Sequence, residues 1–169
     1  MPKLSDRMQL IFDFLIPGEP VWDFCCDHGY MGLKAYHSGA FPEIHFVDQV
    51  PHIIARLEQT FLVKHQRSEY SQKAFFWAES GENISAPLKG TAIIAGVGAH
   101  TTLQILRGLF EREGAQASRF ILVPQKDEEL LERELIAWEG FQASYKCAAV
   151  THVREGSRIR KLLIFDKIL

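Results

Sequence analysis

Residues 20 to 33 read Pro20-Val21-Trp22-Asp23-Phe24-Cys25-Cys26-Asp27-His28-Gly29-Tyr30-Met31-Gly32-Leu33, and this stretch decides the fold. Residues 21–25 predict a buried strand, a tight turn follows, and a helix starts near Tyr30. Strand, small-residue turn and helix together make the nucleotide-binding corner of an open α/β sheet. Backbone N–H groups at such a turn face outward, and small side chains let a ligand approach the main chain. An acid closes the next strand, Asp48 in Ile44-His45-Phe46-Val47-Asp48. Its spacing fits a carboxylate that holds a ribose hydroxyl pair. A plainer reading is an acid favoured by the dipole of the following helix.

The rest of the chain extends this unit. A helix over 3–15 has Ser5 as N-cap and Met8, Ile11, Phe12 and Leu15 at helical spacing; Pro17 and Gly18 end it. The first corner helix stops at Gly39, a second strand covers 44–48, and Pro51 opens a helix with Ile53, Ile54, Leu57 and Phe61 on its apolar face. Residues 64–72 form a polar connection, 74–78 a third strand and 79–88 a loop or short turn. The run 91–95 has the continuous apolar character of a central parallel strand. Gly96 and Gly98 follow, then a helix over 101–112, a strand over 120–123, and a helix over 127–138 ended by Gly140. Two last strands, 141–150 and 158–165, flank the turn Glu155-Gly156-Ser157 and pair antiparallel. This alternation predicts an α/β fold: a mostly parallel sheet with helices on both faces and a C-terminal antiparallel hairpin.

At 169 residues a single domain with a sizeable core is expected. No apolar run is long enough to span a bilayer, and Asp6 and Asp13 break any signal-peptide pattern. Three cysteines, two of them adjacent, make no disulfide framework, so reduced thiols and a cytoplasmic location are expected. A net charge of −2 does not advertise nucleic-acid binding; a nucleic-acid enzyme of this charge needs a local basic face. No metal is expected: Cys25 and Cys26 lack a second cysteine pair, Cys147 is isolated and the histidines do not cluster.

The carboxyl ends of the first four strands line one crevice and present Asp23, Asp27 and His28, then Asp48, then Glu79, then residues 96–100. Asp27-His28 is the odd feature, because an acid stands inside a turn that usually needs glycine. Asp27 serves either a cofactor ammonium or an acceptor base. His28 is either a proton carrier or a helix cap, and Tyr30 either a stacking platform or a core aromatic. Cys25 is a small packing residue rather than a nucleophile. Arg154, Arg158, Arg160 and Lys161 form the densest basic cluster, fit for phosphates or for the solvated face of an edge strand.

The turn is too poor in glycine for a dinucleotide fingerprint, so hydride transfer with NAD is not favoured. Its register resembles motif I of class I S-adenosylmethionine (SAM) methyltransferases, with Asp23 as the opening acid and Gly29 as the last glycine. More narrowly, the chain resembles the TrmK-type bacterial tRNA adenine-N1 methyltransferases. The residues that carry the resemblance are Cys26-Asp27-His28-Gly29-Tyr30, Ile94-Ala95-Gly96-Val97-Gly98, Ile121-Leu122-Val123-Pro124-Gln125, Leu4-Ser5-Asp6-Arg7 and Trp138-Glu139-Gly140-Phe141. It covers essentially the whole chain. The chain departs from the family at Cys25, usually glycine, at Glu79-Ser80, usually Asn-Gly, and at Ala99-His100, where a second glycine is usual. It reads as a divergent member without the family's C-terminal helical extension.

The resemblance implies SAM as cofactor and an adenine of RNA, tRNA-like, as acceptor. It implies cofactor contacts from Asp23, Cys25, Gly29, Asp48, Gln49, Ala78, Glu79, Ala95 and Gly96. Asp27, His28 and Tyr30 are then catalytic, and Gly98, His100, Arg158, Arg160 and Lys161 meet the substrate. The alternatives are a SAM-binding regulatory module without turnover and a small-molecule methyltransferase.

Overall fold

The computed structural model describes residues 5–65, 71–112 and 114–169. Residues 3 and 4 of the predicted first helix, with Leu4 of the lead-in motif, and residues 66–70 of the polar connection lie outside them. In chain order the elements are α1 (Asp6–Asp13), β1 (Val21–Phe24), α2 (Tyr30–Ser38), β2 (Glu43–Val47), α3 (Pro51–His65) and β3 (Lys73–Trp77). A 3-10 turn (Gly81–Asn83) leads into β4 (Thr91–Ala95), α4 (Ala99–Glu111) and β5 (Arg119–Val123). Then come α5 (Glu128–Ala137), α6 (Glu139–Ser144), β6 (Tyr145–Glu155) and β7 (Arg158–Lys167).

Among the described residues these strands form one seven-stranded sheet in the order β3-β2-β1-β4-β5-β7-β6. The pairs from β3 to β5 are parallel, and β7 pairs antiparallel with both β5 and β6. The chain starts in the middle at β1, runs outward to β3, then returns to the other side of β1 as β4. That reversal opens a crevice beyond the carboxyl ends of β1 and β4.

Alternate residues of each strand feed opposite faces. Trp22, Phe24, Ala92, Ile94, Phe120 and Leu122 join α4, α5 and α6 in one core. Val21, Ile93, Ile121 and Val123 join α1, α2 and α3 in the other. Burial on both faces is why these strands read as unbroken apolar runs rather than alternating ones. Asp23 shares the second face and is almost completely buried, 5% exposed.

The predicted elements stand in order and kind; α1 stops at Asp13 rather than at residue 15, α4 begins at Ala99 rather than at 101, β6 runs on to Glu155 rather than to 150, and the join between α5 and β6 is corrected. Gly140 does not end a helix and Phe141 does not begin a strand; both lie in α6, and β6 starts at Tyr145. The Trp138 carbonyl accepts the Gln142 N–H at 3.0 Å, which starts this short helix. Its one buried residue, Phe141, packs against Trp138, Phe110, Tyr145 and Phe165. β1 also ends one residue early, at Phe24, because Cys25 has a left-handed backbone, φ 58°, and leaves the extended line.

Candidate active site

The turn after β1 holds the backbone in an unusual shape. Cys25, Asp27 and Gly29 all have positive φ, at 58°, 48° and 68°. For a non-glycine residue such a conformation costs roughly 1–2 kcal/mol, and strain of this kind gathers at functional sites. Neighbouring strands hold it in place. The Cys26 N–H donates to the Val47 carbonyl at 3.1 Å, and the Asp27 N–H donates to Asp48 Oδ2 at 3.2 Å. Gly29 is needed for a second reason, since a Cβ there would stand 2.8 Å from Leu57 Cδ2.

Two cavities open at this turn. The first, about 390 Å³, lies between the tip of β2 and α4; Val47, Ile53, Val97 and Ile105 give it apolar walls, and Asp48, Gln49 and Glu82 give it polar ones. The second, about 330 Å³, lies under α1 and α2. Met8, Ile11 and Met31 make it apolar, while Asp23, His28, Tyr30, Arg7 and Gln125 ring it with polar atoms. The two share one wall, made of Cys25, Asp27 and Gly96. Gly96 has φ 80° and nothing within 4 Å of the place a Cβ would occupy, so its backbone is bare to the cavities.

Burial shapes the electrostatics. It raises the Asp23 carboxyl to about 7, with Asp48 adding to the rise and the Gly32 N–H, 3.0 Å from Asp23 Oδ2, opposing it. Burial also pushes the Cys25 thiol up to about 12, helped by the negative charges of Asp48, Asp23 and Glu82. The neighbouring Cys26 is raised further by the same cause. Both thiols are therefore protonated at neutral pH and poor nucleophiles. At the rim, His28 Nε2 lies 3.7 Å from Asp27 Oδ2, and its ring is 5.4 Å from the half-exposed ring of Tyr30.

Of the residues singled out from sequence, Asp23, Cys25, Asp27, His28, Tyr30, Asp48, Gln49, Ala95 and Gly96 line one cavity or both. Gly29 is buried beneath them as the N-cap of α2. Ala78 and Glu79 are exposed and line neither cavity; Gly81 and Glu82, a few residues on, stand there instead. Gly98 caps α4 beside the Lys126 side chain, and His100 faces a different groove with Leu103 and Gln104.

The basic cluster divides. Arg160 is buried, with Nε 2.8 Å from Glu155 Oε2 and Nη1 donating to the Gln125 carbonyl at 2.7 Å. Lys161 pairs with Glu132 at 3.0 Å. Only Arg158 of the three is exposed, along a groove that also holds Lys126 and Arg133. Arg7, Met8, Gly81, Glu82 and Gln125 were missed as site residues. Arg7 and Gln125 did stand in the motifs that carried the resemblance. Among the described residues no group of three or more His, Cys, Asp or Glu side chains could hold a metal ion, and no helix is long and apolar enough to cross a membrane.

Comparison with known proteins agrees with this geometry. The profile of a family described as methyltransferase domain matches residues 4–160. The B. subtilis m1A22 tRNA methyltransferase TrmK superposes with a TM-score of 0.79 at 18% identity, over 98% of this chain and 67% of that one. TrmK of M. capricolum, solved with S-adenosyl-homocysteine, gives 0.75 at 15% identity, over 97% and 69%. An rRNA methylase from Streptococcus thermophilus gives 0.63 at 14% identity, over 100% and 99%. No curated protein matches the sequence. With the profile spanning nearly all of the sequence, the chain belongs to the methyltransferase domain family.

Proposed function

We propose that the methyl acceptor is a ring nitrogen of an adenine in RNA, as in tRNA adenine-N1 methylation, and that the two cavities divide the work. The observation that carries the reading is their shared wall. An acid, Asp27, stands where a cavity fit for SAM meets a cavity fit for a base.

The fit to SAM rests on three features. Asp48 offers a carboxylate at the tip of β2 for ribose hydroxyls. Val47, Ile53 and Ile105 offer apolar walls of the kind a nucleoside ring needs. Gly96 leaves its part of the shared wall bare. Glu82 takes the adenine side in place of Glu79. When bound, SAM would supply an electrophilic methyl on its sulfonium, with S-adenosylhomocysteine as the leaving group once the acceptor nitrogen holds the methyl.

The chain's own residues then position and stabilise. Met8, Ile11 and Met31 bed the acceptor ring, and Tyr30 covers it at the rim. A ring nitrogen that gains a methyl leaves the adenine cationic, and Asp27 meets that charge as it develops. Pre-organisation by the strained turn spares reorganisation at the moment of reaction. The Cys25 thiol, kept protonated, does not compete for the methyl. Outside the cavity, Arg158, Lys126 and Arg133 offer cations to RNA phosphates along a groove they share with Asp127, Glu128 and Glu129, while Arg160 and Lys161 brace the hairpin. The solved relatives named as tRNA and rRNA methylases support RNA as the acceptor class.

The test is transfer of labelled methyl from SAM to bulk tRNA, followed by digestion and separation of nucleosides. Label in 1-methyladenosine, lost in Asp27→Ala while the fold persists, is the expected outcome. Label that enters free nucleosides or metabolites and never RNA overturns the RNA acceptor. No label in any product favours a module without turnover.

A further inference from the structure

The second cavity contains one permanently charged cation, Arg7, delivered by the first turn of α1. Its neighbours are two acids, Asp23 and Asp27, and an apolar bed from Met8, Ile11 and Met31. A ligand that suits all of these has a flat ring and an anionic group attached to it. The ring lies on the bed near the acids, and the anion meets the guanidinium.

Arg7 is held for such a contact. Its Nε lies 3.1 Å from Glu155 Oε1 and its Nη1 lies 3.4 Å from Glu155 Oε2. Glu155 is already engaged from the other side by Arg160 Nε at 2.8 Å, and Arg160 is anchored in turn on the Gln125 carbonyl. One carboxylate between two guanidiniums leaves one cationic charge of that triad uncompensated, set against the acids Asp23 and Asp27 on the cavity's other side. Nη1 of Arg7 is given to Glu155 and its Nε is buried, which leaves Nη2, without a partner among the described residues, as the donor for a ligand. A guanidinium meets phosphate oxygens with paired N–H donors, a stronger contact than a neutral hydrogen bond.

We propose that Arg7 binds a phosphate of the target nucleotide, with Glu155 and Arg160 as positioning residues that aim it into the cavity. This rests on the reading of a nucleotide acceptor and adds that the cavity recognises the nucleotide with its phosphate, not the base alone. It also gives the C-terminal hairpin a task at the reacting centre, since Glu155 ends β6 and Arg160 lies in β7.

The test compares AMP with adenosine by calorimetric titration of the protein saturated with S-adenosylhomocysteine. The wild-type protein should bind AMP about tenfold more tightly than adenosine, the scale of one charge-assisted contact. Arg7→Gln should bring the two affinities together, Arg7→Lys should restore part of the gap, and affinity for S-adenosylhomocysteine should stay at the wild-type value. Glu155→Gln should narrow the gap without abolishing it. Equal wild-type affinities, no AMP binding at millimolar concentration, or a gap that survives Arg7→Gln each overturn the assignment. The wild-type comparison stands even if a variant fails to fold. Labelled transfer to tRNA separates the two readings. Methylated tRNA with no AMP preference sinks the phosphate contact alone, whereas an AMP preference with no RNA product sinks the RNA acceptor and leaves Arg7 as a nucleotide-phosphate site.

Discussion

Asp48 holds the turn that carries Asp27: its Oδ2 accepts the Asp27 backbone N–H at 3.2 Å, while its Oδ1 accepts the Val50 N–H at 3.0 Å. One side chain at the tip of β2 thereby ties the start of α3 to a residue with a left-handed backbone on the wall between the cavities. Occupation of the first cavity and the aim of Asp27 are mechanically joined.

Asp48→Ala should therefore do more than weaken cofactor binding. Affinity for SAM should fall by about tenfold or more, the scale of losing charge-assisted hydrogen bonds. The rate of methyl transfer at saturating SAM should also fall, because Asp27 loses its tether. Asp48→Asn keeps one acceptor and should lie between. Single-turnover rates at saturating SAM decide: an unchanged rate in Asp48→Ala would show that the tether is idle.

Two glycines near the site should fail in different ways. A Cβ on Gly32 would overlap the Phe46 ring, so Gly32→Ala should destabilise the protein by roughly 1–3 kcal/mol through overpacking. Gly96 has φ 80° and open space around it, so Gly96→Ala should cost only about 1 kcal/mol of backbone strain. The new methyl would instead stand on the wall that the two cavities share and reduce turnover. Thermal melts and methyl-transfer rates on both variants should show this reversed ranking.

The three cysteines should separate by reactivity. Cys147 is exposed, whereas Cys25 is raised to about 12 by burial and Cys26 is buried and raised as well. Iodoacetamide at pH 8 should label Cys147 alone in the folded protein and all three after unfolding, read by mass spectrometry. Rapid labelling of Cys25 in the folded protein would contradict the protonated thiol that the methyl-transfer reading requires.

Stability should respond to pH through two groups of opposite sign. The folded-state Asp23 carboxyl is raised to about 7, so its contribution is complete near pH 4 and is lost as pH rises toward 7. His45 is lowered to about 4, chiefly by burial, so its contribution is present above about 6.5 and is lost as pH falls toward 4. Asp23→Asn should flatten the decline between pH 5 and 7.5, by an amount that can reach about 3 kcal/mol for so buried a group. Denaturant titrations across that range check it; parallel curves for variant and wild type would refute the shift. His45 lies flat on Trp22, ring centroids 3.7 Å apart, and its Nδ1 accepts from Trp77 Nε1. Its protonation should therefore show as a change in tryptophan fluorescence below pH 5.

The sheet was legible because burial on both faces writes continuous apolar runs, and β4 was placed to the residue. α2 was legible because Gly39 stops it with φ 71°. α6 was not, because it has six residues, one buried apolar side chain and a glycine that reads as a terminator. In the site, the turn from Asp23 to Tyr30 announced itself through its misplaced acid. Glu79 and Glu82 could not be ranked, because the 3-10 turn that carries the latter to the cavity depends on contact with α4; a Cβ on Gly81 would stand 2.9 Å from Phe24 and 3.0 Å from Ile105. The roles of Arg160 and Lys161 were hidden because the Gln125 carbonyl and Glu132, which hold them, are 35 and 29 residues away in sequence.

β7 sits inside the sheet, between β5 and β6, although both are made before it. On the ribosome, β6 has no neighbouring strand to pair with until β7 arrives, and Glu155 has no fixed place from which to hold Arg7. The cavity mouth thus waits on the hairpin, which follows both α1 and the whole parallel part of the sheet in sequence. A nascent chain can form the first cavity while the second is still open, so capacity to take up the methyl donor should precede capacity to use it.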